Sequence, residues 1–287
     1  MKRIFPLLIP PLLTACGQLD SIPYSPPHTP ESWLQMQPYA ALKLGASQVI
    51  LVQPSSTFFV YLLGLVAIAA GLRFLRLRQG QQTRLWWGIA LLLWGFGALS
   101  AGTSYQAFSY TIKCAGRPLC AWTSWWEIAY LLLSAASVDA MVVAVAYSSA
   151  SGKGRKALLA YAAANLALYT VIVLAGAFTL TKFMISFELL LVFAAAGILI
   201  LFGLNGWRWW NYRERLEKRL ALAWLMLGLV IAAYFITLES GMGHTFWARG
   251  VWFTENDVLH LGLTGWMVYL AVAVAPCAED KNQAPVI

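Results

Sequence analysis

The chain alternates between long apolar runs and short polar connections. Seven runs stand out, near residues 56–76, 84–104, 123–148, 157–179, 183–205, 219–240 and 254–276. About 20 apolar residues cross the hydrocarbon core of a bilayer, so each run predicts a spanning helix. The expected fold class is therefore all-α: a polytopic membrane protein with seven transmembrane helices.

Composition supports that reading. The 287 residues are 60% hydrophobic and only 11% charged, where a soluble domain carries about 25% charged residues. The net charge of +8 does not imply a nucleic-acid partner, because the charges fall in short blocks between apolar runs. Three alternate connections with their flanks hold Arg73, Arg76, Arg78, Arg84, Lys153, Arg155, Lys156, Arg208, Arg213, Arg215, Lys218 and Arg219. The other connections hold only Lys113, Arg117, Lys182 and Arg249. Twelve basic residues against four predict an outside N-terminus and a cytoplasmic C-terminus in the inner membrane of a bacterium. Trp86, Trp87, Trp207, Trp209 and Trp210 flank the basic connections and read as an interfacial belt.

Residues 1–16 have the character of a signal peptide. Lys2 and Arg3 precede an apolar stretch too short to span, and Leu13-Thr14-Ala15-Cys16 resembles a lipoprotein cleavage box that would make Cys16 a lipidation site. An ordinary signal peptide is the alternative. Residues 17–55 then form an extracytoplasmic, proline-rich segment, expected to run largely extended. Within it, Thr29-Pro30-Glu31 predicts one short helix capped by Thr29. Residues 277–287 are a cytoplasmic tail too short for a further domain. In an oxidising compartment Cys114 and Cys120, in "CAGRPLC", are expected to pair as a disulfide, with a metal-binding pair as the weaker alternative because no further thiol is expected nearby. Cys277, on the cytoplasmic side, is expected to be a free thiol.

Depth now orders the polar residues. Thr103 and Gln106 end the second run, Glu127 lies about one turn into the third, and Glu188 sits early in the fifth. Glu239 ends the sixth run, while Asn256, Asp257 and His260 open the seventh. All belong to one end of the bundle, which predicts a shared polar pocket near the outer face, since ionisable groups inside a membrane are functional candidates. Glu127, Tyr130, Ser134, Ser137 and Met141 recur at helical spacing, so the third helix should turn one mostly polar face inward. Its serines also suit simple helix packing. Asp139 lies about 18 Å beyond Glu127 along the helix, at a depth where Asn165 of the fourth run can bond it. A histidine with nearby carboxylates holds a divalent ion or acts as a base, which makes His260, Glu127 and Asp257 candidate metal ligands and catalytic groups.

Seven spans with polar residues at these three places resemble the CREST superfamily, which includes alkaline ceramidases and progestin/adiponectin-type receptors. The family pattern is Ser-x-x-x-His near the second helix, an acid on the third and His-x-x-x-His on the seventh. Here "GTSYQAF" offers Gly102 and Gln106, Glu127 matches the acid, and "NDVLH" offers Asn256 and His260. One histidine of the family's three is present, and neutral amides are poor zinc ligands. The resemblance implies a diverged membrane hydrolase of lipid-like amides or esters, with a metal-bound water attacking the carbonyl. The alternative is a non-catalytic seven-helix protein binding a small ligand or partner in the same pocket. A retinal protein is excluded because the seventh run has no lysine. Neither a P-loop nor a Rossmann glycine pattern occurs.

Overall fold

The computed structural model describes residues 18–44 and 47–281. Residues 1–17, and with them the signal peptide and Cys16, lie outside the described residues. Among the described residues seven helices are long and apolar enough to cross a membrane: Pro54–Arg76, Gln82–Ala107, Trp125–Ser149, Gly152–Thr179, Phe187–Tyr212, Arg215–Glu239 and Glu255–Cys277. These are the first to seventh spans below, and they make the chain a multi-pass membrane protein. Six of the seven begin and end within a few residues of the runs in the sequence. The fifth continues to Tyr212, because Asn205 and Arg208, polar enough to suggest a loop, are buried against the sixth span.

The third span is the central post, with 61% of its apolar window buried against 17% for the fourth. The first and second spans approach backbone to backbone. A Cβ on Gly95 would lie 2.8 Å from the Gly64 carbonyl oxygen, and one on Gly71 would lie 2.9 Å from that of Gly88. Without lipid exclusion to drive them together, spans rely on such close packing of small residues. Trp87 corrects the expected interfacial belt. It is fully buried and stacks between Phe74 and Trp224, at ring separations of 5.8 and 5.9 Å. Trp207 and Trp210 are exposed.

The end of the bundle that carries Cys114 and Cys120 has a lid. The two cysteines are bonded at 2.02 Å, as their spacing led us to expect. The N-terminal segment is more ordered than an extended chain. Pro30–Gln35 is a helix whose first turn is capped by Thr29, which accepts from the Ser32 N–H at 3.3 Å. Strands β1 (Tyr39–Leu44) and β2 (Ser47–Val52) pair antiparallel, adding a hairpin to the expected all-α fold. Alternate residues of β2 share a face, so Ile50 and Val52 turn together onto Trp33 and the disulfide. Further back, the Trp122 and Cys120 N–H groups donate to Ile22 and His28 carbonyls at 2.7 and 2.9 Å.

The opposite end is held by charge. Arg208 Nε donates to Glu217 Oε1 at 2.6 Å, with Glu217 fully buried. Asn205 donates to the other Glu217 oxygen at 2.6 Å and accepts from the Trp224 indole at 2.8 Å. Arg84, buried between the first and seventh spans, donates to the Leu77 and Pro276 carbonyls. Two residues that read as loop charges thus tie helices together instead. Cys277 is a free thiol, as expected, and accepts from Arg219 at 3.0 Å.

Candidate functional site

The polar residues expected to share one pocket separate into three environments. The first surrounds Glu127. Its Oε1 accepts from Lys113 Nζ at 2.9 Å and from Ser104 Oγ at 2.8 Å, and Ser104 shares a further bond with Ser124. Lys113 and Glu127 are both buried, and the ammonium also faces the rings of Tyr105 and Tyr24 at 5.2 and 5.7 Å. Burial pushes the Lys113 ammonium pKa down, but the charge and hydrogen bond of Glu127 push it up further. The net direction is above the ordinary lysine value. Lys113 reaches this place because the second span ends in a wider π turn, Gly102–Ala107, and the chain folds back through the short helix Ser109–Lys113. The sequence showed it only as a loop charge.

The second environment belongs to Asp257. Ser55 and Ser56 donate to its two carboxylate oxygens at 3.0 and 2.9 Å, and the Thr254 N–H donates to Oδ2 at 2.6 Å. This is a capping box, with the Thr254 side chain accepting in return from the Asp257 N–H. The first turn of the seventh span is thereby fastened to the first turn of the first. Asn256 beside it donates weakly to Gln53 at 3.4 Å.

These partners engage two of the three residues of the expected metal and catalytic set, His260, Glu127 and Asp257. Among the described residues no group of three or more histidine, cysteine or acidic side chains is placed to hold a metal ion. Glu127 is neutralised by an ammonium, and Asp257 spends its acceptor capacity on serines and backbone. Glu188 and Glu239 are exposed and do not line the cavity described below. Thr103 bonds Tyr61 Oη at 2.8 Å, and Gln106 is buried outside the cavity wall with Oε1 unpartnered. Asp139 does accept from Asn165, at 3.0 and 3.1 Å. Ser137 serves packing, donating to the Ala90 carbonyl at 2.7 Å.

His260 and Tyr130 form the third environment, and here something unforeseen appears. Both line a cavity of about 700 Å³ bordered by the first, second, third, fifth, sixth and seventh spans. That volume lies within the roughly 300–1,000 Å³ of ligand pockets. The wall is almost wholly hydrocarbon, with Trp94 and Trp224 as its largest surfaces and Tyr130, Ser134 and His260 as its polar side chains. His260 is 8% exposed, and its Nδ1 has no hydrogen-bond partner. Of the six such buried atoms among the described residues, it alone belongs to a cavity-lining side chain. Gly228 also lines the cavity, and a Cβ built there meets nothing within 4 Å.

The sequence carried two signals for this site, the Tyr130–Ser134 spacing on the third helix and the ionisable His260 on the seventh. The apolar wall had none, since leucines facing a cavity and leucines facing lipid look alike. Residues 56–278 match the family model described as a family of unknown function, DUF6962. No curated protein and no solved structure matches the chain.

Proposed function

The chain belongs to the DUF6962 family, and we propose that this member is a binding protein of a bacterial plasma membrane. Its ligand is a mostly apolar, lipid-like molecule held in the cavity between the spans. The observation that carries this reading is an almost wholly apolar cavity of about 700 Å³ with the side chain of His260 on its wall. A ligand hydroxyl or carbonyl that reaches the His260 ring makes a hydrogen bond that the apolar wall cannot supply. Neutral imidazole has one donor and one acceptor nitrogen, so both groups suit it. Burial of the ligand's hydrocarbon supplies the affinity, at about 0.8 kcal/mol per methylene.

We favour binding over hydrolysis, because a metal-bound water needs its donors gathered around one point, whereas Glu127 and Asp257 each accept hydrogen bonds from other partners. Non-catalytic binding uses the same cavity without them. We place the disulfide end outside and the Arg208 end in the cytoplasm, on the distribution of basic residues. Reporter fusions at Gly80, Gly152 and Asn211 then read cytoplasm and one at Arg117 reads periplasm. A periplasmic signal at Gly152 overturns that orientation.

The binding itself is tested by native mass spectrometry of protein extracted from its own membrane in mild detergent. We expect an adduct of defined mass on the wild-type chain and its loss in Gly228→Phe, which adds a ring at a cavity-lining position where a Cβ meets nothing within 4 Å. An adduct retained in Gly228→Phe at unchanged occupancy, or no adduct on the wild type, overturns the reading.

A further inference from the structure

The cavity is not closed on all sides. On the walls made by the first, third and seventh spans its lining is buried: Leu63 is 2% exposed, Val138 5% and Leu263 7%. On the fifth and sixth spans it is open, with Leu199 at 68%, Leu229 at 61% and Leu225 at 49%. These residues belong to the cavity wall and to the outer surface of the bundle at once. The opening is therefore a gap between two adjacent spans, facing the hydrocarbon of the bilayer and not either aqueous side.

The way those two spans are joined explains the gap. Near the Arg208 end they are clasped by Arg208–Glu217, Asn205–Glu217 and Trp224–Asn205. Among the described residues no hydrogen bond joins them closer to the disulfide end than the Asn205–Trp224 bond. With a clasp at one end and apolar side chains on the cavity side beyond it, no hydrogen bond among the described residues closes the pair toward the disulfide end. Lipid or ligand hydrocarbon is the only material in a bilayer that can cover the exposed leucines, because water there leaves no favourable contact with them.

From this we infer that the ligand of the cavity is a bilayer lipid, which enters sideways between the fifth and sixth spans with an acyl chain inside and the rest of the molecule in the surrounding leaflet. The inference deepens the proposed function and rests on it. Polar placement sets the orientation. His260 and Tyr130 each lie five residues beyond the first residue of their helices, Glu255 and Trp125, a depth of about 8 Å at 1.5 Å per residue. That is close to the level where a lipid of the disulfide-side leaflet carries its ester or amide carbonyls. The lipid meets His260 through that carbonyl or a neighbouring hydroxyl, and its chain runs along the apolar wall toward Trp224.

The test reconstitutes the full chain in vesicles of phosphatidylethanolamine and phosphatidylglycerol, both carrying a diazirine on one acyl chain. After irradiation, labelled peptides are mapped by mass spectrometry. We expect label on the inner wall at Leu63, Val138 and Leu263, as well as on the exposed residues Val192, Ile236 and Val272. Leu199→Trp with Leu229→Trp narrows the gap and lowers inner-wall label several-fold while the exposed residues keep theirs. Label confined to the exposed residues in the wild type overturns the sideways entry of a lipid. If the native adduct is nevertheless present, the proposed binding stands and its ligand has another source. If both inner-wall label and adduct are absent, both proposals fall.

Discussion

Two regions of this molecule hold buried polar groups at similar depth and treat them in opposite ways. In the lattice under the disulfide lid, Glu127 and Asp257 are engaged: each carboxylate accepts from two or three donors supplied by neighbouring elements. On a side chain that lines the cavity next to it, His260 carries a buried nitrogen with no partner. Engaged groups fasten helices, because the bonds they make are to the protein itself. A side chain on the cavity wall with bonding capacity left over keeps it for something that is not part of the chain. Ionisable character alone does not separate the two roles. The number of partners does.

That contrast can be broken from the lattice side first, where the largest effect lies. Glu127→Ala leaves the Lys113 ammonium buried without its counter-charge, and removing one partner of a buried pair costs about 3–5 kcal/mol. We expect a large fall in thermal stability in detergent, much of it recovered when Lys113→Met is added to a Glu127→Met background. A shift below about 1 kcal/mol, the scale of exposed pairs, would mean that the pair is not a fastening.

On the cavity side the expected pattern is reversed. His260→Ala loses no hydrogen bond at Nδ1, so stability changes little. Ligand binding loses one hydrogen bond of about 1–1.5 kcal/mol, near tenfold in affinity, measured as adduct occupancy during detergent titration. A large loss of stability with binding unchanged would move His260 into the lattice.

The pH dependence sharpens the comparison further. Because Lys113 titrates above its ordinary value in the folded chain, the stability it contributes is complete below the unfolded value of about 10.4. That contribution is lost only as pH rises through the raised folded value. Unfolding of the wild type compared with Lys113→Met should give a constant difference from neutral pH to about 10, narrowing beyond it. A difference that closes between pH 7 and 9 would contradict the ion pair.

The smallest expected effect is none. Chelation with EDTA should change neither the melting temperature nor the adduct, since the three candidate donors are in separate environments. A loss of adduct on chelation, restored by zinc, would return the site to the metal chemistry first considered.

The clearest parts of the fold were legible in the sequence for a simple reason. A bilayer penalises unpaired backbone polar groups so heavily that long apolar runs have one outcome, and all seven helices lie where the runs do. Cys114 and Cys120 were equally readable, being six residues apart on one connection. So were Thr29 as a cap and Asn165 as the partner of Asp139, each a matter of local spacing or matched depth. The hairpin Tyr39–Val52 was not, because its strand signal lay beside a proline-rich stretch that dominated the segment. Lys113, Arg84 and Arg208 looked like loop charges, yet each is buried by a partner on another helix. The sequence by itself determined which segments enter the membrane and which polar residues share a depth. Only the tertiary structure decided which of those residues face one another and which face the cavity. Depth follows from position along one helix, whereas partnership depends on how each helix is rotated, and the packing of all seven together sets that rotation.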